Sequence, residues 1–175
     1  MTKVNPRIFT LGAAFLILTV ITVSSPSWIA AKQGDLQAKR TAVSATTTAS
    51  GTMPTERIMI GGVILTVDVA ETAAAQQNGL SGRPSLPSDH GMLFIFGQED
   101  YWAFWMIDMK FPLDIIWFNS TRQVVFIEPN LPPCTAQNCP VVTPTAKAMY
   151  VLEVNAGFVA AHRILRGVSF VVLDH

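Results

Sequence analysis

Val63, Leu65, Val67 and Val69 alternate with Ile64, Thr66 and Asp68 after a Gly-Gly turn, which is the two-residue period of a strand. "ETAAAQQNGL" then gathers good helix formers and stops at Asn78-Gly79, where glycine suits the left-handed residue that ends a helix. "SGRPSLPSDHG" is a loop by composition, and "MLFIF" is a short apolar strand followed by a polar turn, "GQED". "WAFWMI" and "PLDIIWF" read as two strands of a hairpin with residues 108–111 as its tip. Pro112 lacks an amide hydrogen and so belongs at the first residue of a strand or on an edge. "QVVFIE" follows as another strand, then a proline-rich loop over residues 129–145. "KAMYVLEV" is a strand, "NAGFVAAHRIL" a short helix capped by Asn155, and "VSFVVL" a last strand.

About seven short strands and two small helices in about 120 residues predict a mainly β (α+β) fold. Most connections are too short for helical crossovers, so antiparallel pairing should dominate a compact barrel-like or curled sheet with the helices packed on it.

Residues 1–55 do not fit that pattern. Lys3 and Arg7 precede an uncharged run from Ile8 to Ala31, the layout of an export signal or an uncleaved N-terminal membrane anchor. Small residues at Ala30 and Ala31 offer a cleavage point, but Ile29 weakens it. Residues 32–55 have no hydrophobic period and contain the tract "TTTASGT", as expected of a flexible linker. The expected organisation is residues 1–31 as signal or anchor, 32–55 as linker and 56–175 as the folded domain. That domain would stand in the periplasm or outside the cell, secreted or anchored in the cytoplasmic membrane.

Charge sharpens this division. Residues 1–55 carry five Lys/Arg against one acidic residue, and residues 56–175 carry seven against eleven. A mildly acidic domain without a basic stripe is a poor match for nucleic acid, whose binding is dominated by phosphate neutralisation. The expected partners are therefore a small molecule or glycan and, through the N-terminus, a membrane. The domain is expected to be a monomer.

Candidate chemistry concentrates in "FWMIDMKFPLDIIWFN". In "LDIIWF" both faces are apolar, and parity places Asp114 with Ile116 and Phe118. A carboxylate there must be paired or hydrogen-bonded, by loop amides, Arg83 or Lys110, or else it is a pocket residue with a chemical role. Asp108 and Lys110 fall at the expected hairpin tip, where charges are ordinarily solvated. The aromatics are a core cluster or a platform for a flat ligand, and Trp102 and Trp105, beside the polar turn, suit the second role best. Cys134 and Cys139 are the chain's only cysteines, and in an exported protein they should form a disulfide. His90, His162 and His175 show no ligand spacing, so neither a metal nor a cofactor is expected. No nucleophile elbow, phosphate-cradling glycine loop or H-E-x-x-H occurs, which leans against an enzyme.

In order along the chain, "QQNGLSGRPSL", "DHGMLFIF", "FWMIDMKFPLDIIWF", "PPCTAQNCP" and "YVLEVNAG" resemble the domain of unknown function 192 family over about residues 56–175. The resemblance implies an exported, β-rich, barrel-like domain and supplies no reaction. Ser81 stands where that family usually has Met, and Ile107-Asp108-Met109 where it usually has Lys-Asn-Thr. Asp108 loses standing thereby, while Arg83, Trp105 and Asp114 keep theirs. The leading expectation is an accessory or binding domain with Arg83, Trp102, Trp105 and Asp114 about a pocket. A hydrolase using Asp114 with Glu153 or Asp108, and a structural domain acting through a protein partner, are the alternatives.

Overall fold

The computed structural model describes residues 53–174. The signal or anchor segment and the linker up to residue 52 lie outside the described residues. Seven strands form one sheet: β1 (Thr55–Ile60), β2 (Val63–Ala70), β3 (His90–Asp100), β4 (Leu113–Phe118), β5 (Val124–Leu131), β6 (Ala148–Asn155) and β7 (Phe170–Val172). Their spatial order is β5-β4-β6-β3-β2-β1-β7. The sheet curls until its two edges touch. Gln123 bridges Ser169, and the Val124 amide donates to the Val168 carbonyl at 2.8 Å. The rings of Phe118 and Phe170 meet edge-on with centroids 4.9 Å apart. The result is the expected mainly β fold, a half-barrel with two small helices.

Every neighbouring pair of strands is antiparallel except β2 and β3, which run parallel from Thr66 opposite His90 to Ala70 opposite Phe94. The 71–89 connection is long enough for a crossover, and it carries α1 (Ala73–Asn78). Thr72 caps that helix by accepting from the Ala75 amide at 3.1 Å, and Gly79 ends it at φ 52°. Among the described residues no helix is long and apolar enough to cross a membrane.

Strand parity sorts the apolar residues onto two faces. Ile58, Leu65, Val67, Leu93, Leu152 and Phe170 fill the enclosed face, which draws on all seven strands. Phe94, Phe104, Met106, Leu113, Ile115 and Trp117 pack on the outer face, under the loops. Full burial of such a side chain stabilises by roughly 1.5–3 kcal/mol. Trp117 is fully buried and touches Phe104 and Phe126 edge-on, and its indole donates to the Trp102 carbonyl at 2.8 Å.

Four local expectations change. "WAFWMI" is not a strand and there is no hairpin tip. Residues 101–112 form a loop laid across the outer face, with Phe104 bridged to Val142 and Ile107 to Cys134. Its alternating apolar residues serve one-sided packing, and its backbone bonds go to other loops, to Cys134, Val142 and Gly82 among others. β1 takes the missing strand's place in the count. "GQED" is no turn, because β3 continues through it to Asp100. Asn155 is not a cap: the residue before α2 (Phe158–Ala161) is Gly157, and the Asn155 amide group instead donates to the carbonyls of Leu86 and Pro87.

Candidate functional site

Register brings three carboxylates into one line. Glu128 lies opposite Ile115, Ile115 opposite Glu153, Glu153 opposite Met92, and Met92 opposite Asp68. Directly opposed residues share a face, so Glu128, Glu153 and Asp68 all project from the outer face. Each stands two strands from the next, or roughly 10 Å.

Glu153 is the anomalous member. It has no solvent exposure, and neither carboxyl oxygen has a hydrogen-bond partner among the described residues. Its immediate cross-strand neighbours are the apolar Met92 and Ile115. Burial pushes its carboxyl up from the ordinary 4.5 to about 8, and the Arg83 guanidinium pulls it back only slightly. At neutral pH it is therefore a protonated acid, which donates one hydrogen bond and can also deliver a proton.

Two further groups are carried by loops that pack on this face, and of these Arg83 lies close enough to Glu153 to act on its charge. Arg83, just after α1, places Nη2 2.7 Å from Asp68 Oδ2, with the two side chains 35% and 21% exposed. A pair that open to water holds the guanidinium in position more than it stabilises the fold. Trp105 is carried by the 101–112 loop between Phe104 and Met106, and its indole Nε1 is buried without a partner among the described residues. Buried polar atoms are ordinarily satisfied, so an orphan donor and an orphan carboxyl each require a reason. The surrounding packing is deformable: Met53, Met92, Met106 and Met109 all belong to this cluster.

Asp114 has a different setting. It is 1% exposed and lies on the enclosed face, opposite Val154. Its Oδ1 accepts from the Asn130 amide and its Oδ2 from the Val159 amide, both at 2.8 Å. Asn130 is at φ 52° in the irregular stretch of β5, and Val159 is in the first turn of α2. Asp114 thus ties β5 and α2 to β4. Arg83 is paired with Asp68 instead, and the sheet itself stands between Asp114 and Glu153.

The remaining candidates scatter. Asp108 is exposed on its loop, at φ 61°, with its carbonyl accepting from the Gly82 amide at 3.4 Å. Trp102 stacks on Phe96 with centroids 4.0 Å apart, and its indole donates to the Gln98 carbonyl at 3.3 Å. Cys134 and Cys139 are bonded to each other. An open hollow of about 720 Å³ on that loop, formed by Pro132, Pro133, Gln137, Asn138 and their neighbours, holds no ionisable group. Among the described residues no cluster of His, Cys, Asp and Glu could hold a metal ion. Asp68 and Glu128 were not anticipated. Each looks like an ordinary outward position of an alternating strand, and only cross-strand register reveals the line.

The residue pattern of the domain of unknown function 192 family, described as "Uncharacterized ACR", matches residues 56–172, and the chain belongs to that family. Two solved structures resemble it at 27% identity and a TM-score of 0.64. One is a candidate transcription regulator from Sinorhizobium meliloti 1021, with 69% of this chain and 95% of that one covered. The other is a protein of unknown function from Novosphingobium aromaticivorans DSM 12444, with 70% and 88% covered. No curated protein matches the chain.

Proposed function

We propose that this member of the domain of unknown function 192 family is a small-ligand-binding accessory domain, held at the outer side of the cytoplasmic membrane by its N-terminal segment. The observation that carries the binding role is the buried carboxyl of Glu153, which has no partner among the described residues. Leaving such groups unsatisfied costs about 1–3 kcal/mol each, and a bound molecule reaching the outer face between the 71–89 and 101–112 loops would supply the partner. Arg83, on the 71–89 loop and near enough to Glu153 to act on its charge, is the natural second contact, whereas Asp114 is occupied in holding α2 and β5. Trp102 and the exposed Tyr101 sit at the margin of the same face, where a sugar ring could stack.

Export rests on Lys3, Arg7 and the uncharged run that follows them. Hydrolysis is the weaker reading, because its carboxylate pair would have to act through the sheet. The regulator description of the Sinorhizobium protein is not extended to this chain, since an acidic domain offers phosphate groups little attraction.

A thermal-shift screen of the full chain against oligosaccharides, cell-wall glycans and small metabolites tests the binding role, since a ligand raises apparent stability by mass action. At least one compound should raise the Tm of the wild-type chain and leave Glu153→Leu unmoved. If no compound shifts the wild type, or every shift survives Glu153→Leu, the site is misplaced.

A further inference from the structure

The donor and acceptor inventory of this face narrows the chemistry of the ligand. Deepening the binding role above, we infer that the bound molecule presents an oxygen acceptor, a carbonyl or carboxylate, to Glu153, with Arg83 as an additional donor. A guanidinium can only donate. Burial among Met92, Ile115 and the rest of the outer cluster keeps the Glu153 carboxyl protonated at neutral pH, so it too has a hydrogen to give. A protonated carboxyl in an apolar site is a strong donor to a carbonyl oxygen, the role it has in ketosteroid isomerase. A cationic amine would set donors against donors, and would first have to ionise Glu153.

Among the described residues, the other charged groups near the row do not change this. Asp68, from β2, is spent on Arg83. Glu128, from β5, stands two strands away on the far side of Ile115. His90, at the start of β3, is paired with Asp89 at 2.8 Å. Asp108 and Lys110, from the covering loop, are exposed.

Matched six-carbon probes separate the possibilities. Titration of the purified full chain with 2-hexanone, hexanoate and hexylamine at pH 6.5 and pH 9.5 is expected to show binding of the ketone, the carboxylate or both at the lower pH. With the acid centred near pH 8, the affinity should fall roughly 30-fold at pH 9.5 as Glu153 ionises. Glu153→Gln keeps an N–H donor that does not titrate, so its binding should be the same at both pH values. The pH comparison on the wild-type chain stands even if that variant does not fold. Acceptor binding that is flat with pH in the wild type would show that Glu153 is not the donor. Hexylamine binding with both acceptors silent would overturn the ligand class and leave the pocket standing. Silence from all three probes at both pH values, with no compound shifting the wild type in the thermal screen, would remove the pocket and this inference together.

Discussion

Replacing Glu153 by Gln should change the shape of the stability–pH curve, and not merely its height. In the folded chain the carboxyl ionises near pH 8, against 4.5 for an unburied one. Between those values the folded state holds a proton that the unfolded state has released. Stability therefore falls as pH rises, by about 1.4 kcal/mol per unit while the mismatch is complete. The contribution is fully present below pH 4.5 and is gone once pH has risen through 8. Across an accessible window from pH 5 to 8 the loss integrates to about 3–4 kcal/mol. Gln is nearly isosteric and neutral throughout, while Asp68, Arg83, Glu128 and His90 are common to both chains. The difference in unfolding free energy between wild type and Glu153→Gln isolates this one titration. Urea unfolding followed by tryptophan fluorescence at each pH unit would measure it. The wild type should lose ground to the variant steadily as pH rises. A difference that stays constant within about 0.5 kcal/mol would mean that Glu153 is solvated or partnered in solution and offers a ligand no orphan proton.

Asp114→Asn should destabilise by about 1–3 kcal/mol with no effect on ligand binding, because its NH2 group would face one of the two amides that now donate to the carboxylate; lost binding with stability intact would make Asp114 functional. Thiol labelling of unfolded, unreduced protein recovered from an oxidising compartment should find neither Cys134 nor Cys139, and replacing both by Ser should cost about 2 kcal/mol for a loop this short. Two labelled thiols would contradict both the disulfide and the export reading. A chain beginning at Met53 should fold on its own, and one beginning at Glu56 should be less stable by about 2 kcal/mol. The shorter chain loses the Val69–Pro54 hydrogen bond and the packing of Met53, and equal midpoints in urea would show that these contacts are idle.

Much of the fold was legible because local signals and tertiary demands agree. Alternation marked β2, Thr72 and Gly79 bracket α1, and parity placed Asp114 with Ile116 and Phe118 on a buried face. The misreadings occur where local pattern serves a non-local end. Phe104 and Met106 alternate like strand residues but belong to a loop that pairs only through isolated bridges. β1 opens on Thr55, Glu56 and Arg57, so its apolar half merges visually with the polar linker before it. The candidate site was half legible: Arg83 and Glu153 could each be singled out, but not their common face. That grouping depends on the parallel crossover between β2 and β3 and on the β4–β6 register, neither of which any short window of sequence contains.

The two buried carboxylates of this sheet make the case for the outer face. Asp114 and Glu153 stand on adjacent strands, one residue apart in register and on opposite faces. Both are almost wholly removed from water. On the enclosed face, two backbone amides are placed to meet both oxygens of Asp114, which is how a buried charge is made tolerable. On the outer face no described residue does the same for Glu153, although a Leu or Met there would continue the packing of Met92 and Ile115 without the cost. The enclosed face is sealed by the contact of β5 with β7, so a group there can be served only by the fold itself. The outer face is roofed by loops and methionines, and loops can move at far smaller cost than a sheet can open. A polar group that the described residues leave unsatisfied, under loops able to yield, is placed to be satisfied from outside.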